Sequence, residues 1–361
     1  MTELDDRPLV ALTLGDVAGI GPEVVALAWS LPTLHALAKP FVVGDSTILR
    51  RALDRVRSTG NASSIQVETI DAPEAARPSP TVIPCLEVAG VDVAGVRPGL
   101  VDARAGAAAA RWLVEGIDLA LAGRIDAIVT LPLHKESLHL AGVPHPGHTE
   151  ILAERCGVAE HAMMLYLPPD DAGPGGLGVI HATLHVALRD VFDLLTLDSV
   201  ASKIHLADSA IRPLTDGRQP RIAVAGLNPH AGENGLFGDE EIRIIAPAVA
   251  QCQREGVDVV GPIAADTLFG RALGGEFDAV LAMYHDQGHV ALKTIGFDRA
   301  VNVTLGLPIV RTSVAHGTAF DIAWQGRDVD TSSLIAAVRV AVRIVADNVR
   351  IKRIEPRMEH G

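Results

Sequence analysis

The sequence of 361 residues has few cysteines, few aromatic residues and a deficit of positive charge. Its three cysteines, Cys85, Cys156 and Cys252, form no Cys-x-x-Cys pair, which argues against a disulfide framework and fits a reducing cytoplasm. Lys and Arg number 31 against 44 Asp and Glu, giving a net charge of −13 with His neutral. Nucleic acid and anionic membrane surfaces are therefore poor partners, and an anionic substrate needs locally placed positive groups.

Long apolar segments and a basic leader are also missing. The apolar run at 24–38 is too short to span a bilayer and contains Pro32 and His35, and the acidic N-terminus argues against a secretory signal. We therefore expect a cytoplasmic protein without a membrane partner. Hydrophobic residues reach 48% but aromatic residues only 3%, so the core is built from Ala, Val, Leu and Ile, as in α/β enzymes with parallel sheets.

Short apolar runs alternate with helical patterns along the chain. This alternation predicts an α/β fold with a parallel or mixed central sheet, and the length is typical of two lobes. Composition predicts loops at 57–81, 168–178 and 211–220. The predicted strands are 9–14, 127–133, 178–182, 222–226 and 278–283, and the predicted helices are 22–30, 103–123, 147–156, 188–204, 239–255 and 332–348.

Two stretches that resemble phosphate-binding motifs are discounted, one for its context and one for its residues. Residues 173–178 match G-x-G-x-x-G but precede a strand instead of following one, so a flexible turn is the better interpretation. Residues 142–149 resemble a P-loop, yet His148 stands where Lys is needed and two prolines remove backbone donors. The segment 147–150 at a predicted helix start nevertheless suits an anion.

Three histidines, His185, His230 and His285, follow predicted strands. They would lie at the carboxyl edge of the sheet, where open α/β folds bind ligands. Three neutral imidazoles suit a borderline-soft divalent metal with coordination left open for substrate. Because they are far apart in sequence, they can converge only through the fold or through two subunits. Hydrogen-bonded loop histidines are the alternative.

Charged and polar residues accompany these histidines. We expect Asp266 and Asp286 to orient the imidazoles. Lys293, Asn302 and Arg311 follow at equal intervals and suit a substrate that carries carboxylate and phosphate. For each of them, a solvated surface position is the alternative. Lys293 is also a candidate acid or base, and Gln287 with Gly288 is predicted to form a turn.

Ordered motifs resemble the 4-hydroxythreonine-4-phosphate dehydrogenase family over almost the whole chain. The resemblance implies a fold like the isocitrate and isopropylmalate dehydrogenases, with two α/β lobes around a central cleft, in a homodimer with shared active sites. Residues 1–140 and 310–361 would form the outer, cofactor-side lobe, and 141–309 the inner lobe for dimerisation and metal binding. The motifs are 15–23 (GDVAGIGPE), 131–135 (LPLHK), 146–150 (PGHTE), 183–185 (TLH), 226–233 (GLNPHAGE), 265–267 (ADT), 283–288 (MYHDQG) and 302–311 (NVTLGLPIVR).

The resemblance also implies roles for individual residues. One divalent metal per site, Zn or else Mg, Mn or Co, would be held across the dimer interface, and NAD or NADP would be bound partly by the loop 316–323. Val17 departs from the Pro that is common in the family and removes no catalytic group. The implied metal ligands are His185, His230 and His285; the substrate contacts are His148, Thr149, Lys293, Asn302 and Arg311; the cofactor contacts are His316, Gly317 and Asp321; the catalytic group is Lys293, Asp266 and Asp286.

The implied function is metal-dependent, NAD(P)-linked oxidation of the 3-hydroxyl of a 4-phosphorylated four-carbon acid, followed by decarboxylation. The segments 230–241, 286–289 and 317–324 favour D-threonate or D-erythronate 4-phosphate, and His289 serves only as a marker of that branch. One alternative is oxidation of 4-hydroxy-L-threonine 4-phosphate to 3-amino-2-oxopropyl phosphate in pyridoxal phosphate biosynthesis. Others are a metal-dependent hydrolase or aldolase, a dehydrogenase of cyclic dihydrodiol carboxylates, and a non-catalytic metal- or metabolite-binding protein.

Overall fold

The computed structural model describes residues 5–57, 65–90, 92–169, 175–296, 299–326 and 329–354. These residues form twelve strands and twelve α-helices, so the predicted α/β class is confirmed. The strands are β1 (Leu9–Thr13), β2 (Lys39–Gly44), β3 (Gln66–Ile70), β4 (Val82–Glu87), β5 (Ala127–Thr130), β6 (Ala162–Leu167), β7 (Leu177–His181), β8 (Ile222–Ala225), β9 (Val259–Ile263), β10 (Ala279–Ala282), β11 (Val301–Leu305) and β12 (Arg311–Val314). The helices are α1 (Gly21–Trp29), α2 (Pro32–Leu37), α3 (Ser46–Arg57), α4 (Ala103–Leu121), α5 (Lys135–Leu140), α6 (His148–Cys156), α7 (Val191–Leu194), α8 (Leu197–Ile211), α9 (Ala246–Arg254), α10 (Ala265–Leu273), α11 (His285–Gly296) and α12 (Ser332–Ile354).

The chain divides into two compact units. Unit 1 comprises Met1–Ala159 and Leu307–Val345, and unit 2 comprises Glu160–Gly306 and Ala346–Gly361. The chain therefore passes between units after residues 159, 306 and 345, where the sequence predicted boundaries after 140 and 309. Within the described ranges, no helix combines the length and the apolar character needed to cross a bilayer.

Unit 1 contains a parallel sheet in the order β3-β4-β2-β1-β5-β12. The central strands are buried on both faces, which explains their continuous apolar sequence. Helix α4 packs on this sheet through the buried Trp112 and Leu113. Gly116 allows close approach, since a Cβ there would lie 3.4 Å from Thr13 and 3.6 Å from Ile128.

Unit 2 contains a mixed sheet in the order β11-β6-β7-β10-β8-β9. The pairs β11–β6 and β6–β7 are antiparallel, whereas β7, β10, β8 and β9 are parallel neighbours. Because β7, β10 and β8 run side by side, their carboxyl ends lie at one edge. The segments that carry His185, His285 and His230 leave the sheet there, in that order.

The five predicted strands correspond to β1, β5, β7, β8 and β10, but three local predictions are wrong. The stretch 57–81 contains β3, an edge strand with three exposed residues whose polar pattern hides it. The predicted helix 188–204 is divided, because Thr196 and Ser199 form a reciprocal capping box that starts α8 afresh. Gln287 and Gly288 lie inside α11 rather than in a turn.

The predicted loop at 168–178 follows β6 and leads into β7, and its residues 170–174 lie outside the described residues. Residues 58–64 of the predicted loop at 57–81, and 355–361 at the chain end, lie outside them too. The predicted loop at 211–220 contains a short 3-10 turn at Arg212–Thr215.

Candidate functional site

His185 and His285 are brought together by the pairing of β7 with β10. The segments that follow β7 and β10 are hydrogen-bonded to each other. The Thr183 backbone N–H and hydroxyl both donate to the carbonyl of Met283, at 3.2 and 2.8 Å. The two imidazole centroids lie 5.7 Å apart. Asp286 Oδ1 lies 2.7 Å from His285 Nδ1, and such a contact fixes the ring and leaves Nε2 for a ligand.

Two buried histidines extend this pair into a cluster. His289 lies one turn after His285 on α11 and stacks on its ring, with centroids 3.7 Å apart and planes 10° apart. Its Nδ1 lies 3.0 Å from Nε2 of His181, the last residue of β7. Burial is the main cause that lowers the pKa of His181 to about 4 and that of His289 to about 3. Both rings are therefore neutral at physiological pH.

Sequence reasoning missed this buried pair. It treated His289 only as a branch marker and did not single out His181. The spacing of His285 and His289, four residues apart on one helix face, is the signal that could have revealed the stack.

His230 lies in a strained turn after β8. Five successive residues, 230–234, have φ between 43° and 79°, and only Gly232 among them is glycine. A left-handed backbone costs roughly 1–2 kcal/mol for each residue with a side chain. Such strain persists only where the surroundings enforce it, and it is common at functional sites.

Glu241 is the buried group that holds this turn. Its Oε1 accepts hydrogen bonds from the backbone N–H groups of Leu227 and Asn228, both at 2.7 Å, and its Oε2 accepts from the Asn228 side chain at 3.0 Å. A Cβ at Gly232 would lie only 2.7 Å from Glu241 Oε2. Glu241 begins a π-helical turn, Glu241–Ile245, a feature that often marks functional sites.

The three predicted metal ligands do not converge within one chain. Over the ranges that the structure describes, the only three His, Cys, Asp or Glu ligand atoms within 4.8 Å of one another belong to a different group. His185 and His285 form a pair, whereas His230 stands on its own turn beside Phe237. Asp266 is exposed in the first turn of α10.

Two predicted substrate residues lie in unit 2 with the histidine cluster. Lys293 is half-buried on α11, four residues after His289, and its positive charge helps to lower the pKa of that ring. Asn302 lies on β11, where its Nδ2 contacts Met163 Sδ at 3.3 Å. Its Oδ1 is buried without a hydrogen-bond partner among the described residues.

The other predicted substrate residues lie in unit 1. Arg311 begins β12 and is 2% exposed, and its Nη2 donates to Thr130 Oγ1 at 2.6 Å. Burial lowers the pKa of Arg311 to about 9, so it stays charged at neutral pH. Burial and the nearby Arg311 charge hold the pKa of His148 well below its usual value. His148 and Thr149 begin α6, whose N-terminus has no side-chain cap.

The predicted cofactor loop packs on the segment 15–23 within unit 1. The Ile20 backbone N–H donates to the Thr318 carbonyl at 3.0 Å, and the buried Glu23 carboxylate accepts from the Trp324 backbone N–H at 2.6 Å. Gly19 is required at this contact, because a Cβ there would lie 2.6 Å from the Thr318 carbonyl oxygen. Of the predicted cofactor contacts, Gly317 and Asp321 are exposed and His316 is half-exposed.

Comparison with known proteins identifies the family independently of the site geometry. The family model described as pyridoxal phosphate biosynthetic protein PdxA matches residues 36–341. The chain is 43% identical to the D-threonate 4-phosphate dehydrogenase of Pectobacterium atrosepticum, over 93% of this chain and 99% of the relative. It is 41% identical to the 4-hydroxythreonine-4-phosphate dehydrogenase of Desulforapulum autotrophicum, over 93% of this chain and 95% of the relative.

A solved structure shows the same likeness. The crystal structure of 4-hydroxythreonine-4-phosphate dehydrogenase from Klebsiella pneumoniae superposes with a TM-score of 0.80 at 44% identity, covering 94% of this chain and 100% of that one. The resemblance predicted from the sequence motifs is confirmed. The chain belongs to the family of the pyridoxal phosphate biosynthetic protein PdxA.

Proposed function

We propose that this chain catalyses NAD(P)-linked, metal-dependent oxidation of the 3-hydroxyl of a 4-phosphorylated four-carbon acid, followed by loss of CO2. D-threonate or D-erythronate 4-phosphate is the favoured substrate. The observation that carries the proposal is the delivery of three histidines to one sheet edge by β7, β10 and β8, in a chain related to dehydrogenases of such phosphates. The chain would thus be an oxidatively decarboxylating oxidoreductase.

The histidines fit a divalent metal. His285 is oriented through Nδ1 by Asp286, and His181 and His289 behind it are neutral and contribute no opposing charge. Imidazole ligands favour zinc, with Mn or Co as further candidates and Mg less suited. When bound, such a cation stabilises the negative charge that develops during oxidation and decarboxylation.

We propose that the metal site is shared between two copies of the chain, because His230 does not join the other two histidines within one copy. Large exposed apolar side chains near both positions support a homodimer. Such side chains are normally covered when they cluster. Near His185 they are Val186, Leu188, Phe192 and Leu194, and near His230 they are Leu236, Phe237 and Ile242.

The anionic ends of the substrate would be bound by the predicted substrate contacts. The guanidinium of Arg311 is buried, and its planar set of N–H donors matches the geometry of a phosphate or carboxylate. The uncapped start of α6 offers backbone N–H groups beside His148 and Thr149 to the same kind of group. Lys293 and Asn302 would contact the hydroxyls and the second anionic group.

The reaction balances without further reagents. The hydride on carbon 3 would pass to NAD(P)+ when it is bound, and the hydroxyl proton would pass to a base, for which we propose Lys293. The resulting β-keto acid would lose CO2, and carbon 2 would take up a proton that balances the one released from the hydroxyl. A 2-hydroxy substrate gives dihydroxyacetone phosphate, and a 2-amino substrate gives 3-amino-2-oxopropyl phosphate. We assign the cofactor to the packed segments that contain His316, Gly317 and Asp321. We also propose that the two units correspond to the two α/β lobes of the isocitrate and isopropylmalate dehydrogenases.

The test is NAD+ and NADP+ reduction with D-threonate, D-erythronate and 4-hydroxy-L-threonine 4-phosphates, each with and without a chelator. We expect chelator-sensitive reduction, fastest with one of the two acid phosphates that carry a 2-hydroxyl. Fastest turnover of 4-hydroxy-L-threonine 4-phosphate would instead assign the chain to the activity named for the Desulforapulum relative. Absence of cofactor reduction with all three would refute the proposal and favour a hydrolase or aldolase.

A further inference from the structure

A second group of metal-binding side chains joins α8 to the end of α9. His205 lies on α8, Cys252 lies in the last turn of α9, and Glu255 directly follows that helix. One ligand atom from each lies within 4.8 Å of the others. His205 Nε2 is 2.6 Å from Glu255 Oε2 and 3.7 Å from Cys252 Sγ.

The secondary structure explains why the three meet. Cys252 and Glu255 are three residues apart and so project from the same face at the end of α9. That end packs against α8, where the Cys252 thiol also contacts the carbonyl of Ala201 at 3.8 Å. The His205 and Glu255 side chains are 46% and 43% exposed, so an ion can reach the group although Cys252 is buried.

We propose that His205, Cys252 and Glu255 bind one zinc-class divalent cation, which clips α8 to α9. A thiolate, an imidazole and a carboxylate are the ligands that zinc prefers, and three protein ligands leave one position for water. The C-terminal end of α9 adds a favourable negative dipole.

Binding requires a local rearrangement and one proton release. The His205–Glu255 hydrogen bond opens so that both atoms reach the cation at about 2.0–2.2 Å. Burial is the main cause that raises the pKa of the Cys252 thiol to about 11, with the charge of Glu255 adding to it. The S–H bond therefore breaks as the sulfur–metal bond forms, and the proton leaves to solvent with no change of oxidation state.

The test is titration of the full-length protein with Co2+, followed by the near-ultraviolet thiolate-to-cobalt charge-transfer band. The three histidines of the proposed active site contain no sulfur and cannot produce this band, so the result is independent of the proposed function. We expect a saturable band in the parent protein and in Cys156→Ser, the matched control, and its loss in Cys252→Ser. His205→Gln and Glu255→Gln should weaken cobalt affinity more than about tenfold, because even an outer partner of a metal ligand contributes ~10–100-fold.

Two results would overturn this proposal. One is a parent protein without a saturable sulfur band, which would mean that the group is only a hydrogen-bonded contact between helices. The other is a band that persists in Cys252→Ser, or that stays equally strong in His205→Gln and Glu255→Gln. These last two variants alter exposed side chains and keep the test valid if Cys252→Ser does not fold.

Discussion

Replacement of Glu241 by Gln should release the turn that presents His230 while leaving every proposed metal ligand in place. The buried carboxylate accepts two backbone N–H bonds on one oxygen and the Asn228 amide on the other. Gln keeps one acceptor oxygen but places an NH2 group against the Asn228 amide. Two donors then face each other, and the remaining bonds lose their charge-assisted character.

The structure sets the size of the effect. A hydrogen bond to a charged group contributes about 1.5–3 kcal/mol, so the loss of one such bond should lower the free energy of unfolding by roughly 2 kcal/mol. The four non-glycine residues of the turn store roughly 1–2 kcal/mol each, so a released turn relaxes away from the left-handed conformation. If this relaxation weakens the free energy of metal binding by as little as about 1.4 kcal/mol, metal affinity falls about tenfold.

The assay is metal affinity by competition with a chelator, together with thermal unfolding. Glu240→Gln is the matched control, because Glu240 accepts the Asn228 side-chain amide at 2.7 Å but no described bond joins it to the backbone N–H of Leu227 or Asn228. We expect a clearly larger loss of affinity for Glu241→Gln than for Glu240→Gln. Equal effects in the two variants, or parent-like metal affinity in Glu241→Gln, would refute the role of Glu241.

Substitutions at His289, Arg311 and His148 test other parts of the structure. His289→Leu removes the stack on His285 and leaves His181 without its partner, so metal affinity should fall about tenfold; chelator competition measures this, and an unchanged affinity counts against a positioning role. Arg311→Lys should lower kcat/KM for the phosphorylated substrate by about 100-fold or more, because lysine cannot reproduce a planar buried fork; steady-state kinetics with parent-like values would exclude anion binding by Arg311. Because the pKa of His148 is held below its usual value in the folded state, unfolded chains bind a proton that folded chains do not as the pH falls below about 6.5. The free energy of unfolding therefore falls as the pH drops below that value, so acid should lower the Tm of the parent more than that of His148→Gln. Parallel curves of Tm against pH for the two proteins would contradict this.

The sequence predicted those parts of the site that lie at the ends of apolar runs. β7, β8 and β10 are buried on both faces, so each appears as a continuous apolar segment, and the histidine that follows each is visible. The edge strand β3 has no such run and was missed. The division of 188–204 by Thr196 is a local capping event that helical periodicity alone does not reveal.

Tertiary contacts between residues that are distant in sequence could not be predicted. His181 meets His289 because the register of β7 and β10 pairs His181 with Ala282, just before α11 begins. Glu241 accepts hydrogen bonds from the backbone N–H groups of Leu227 and Asn228, fourteen and thirteen residues earlier, just before the left-handed turn at 230–234. Neither arrangement has a signature in a single sequence.

We propose that one metal site takes His230 from one protomer and the His185–His285 pair from its partner. Mixed dimers of two inactive variants test it directly, by metal content and by NAD(P)+ reduction. A His230→Ala protomer combined with a His285→Ala protomer should regain one intact, active site per mixed dimer, whereas His185→Ala combined with His285→Ala should regain none. Failure of the first pair to recover metal binding and activity, or recovery by the second pair, would contradict a metal site shared between protomers.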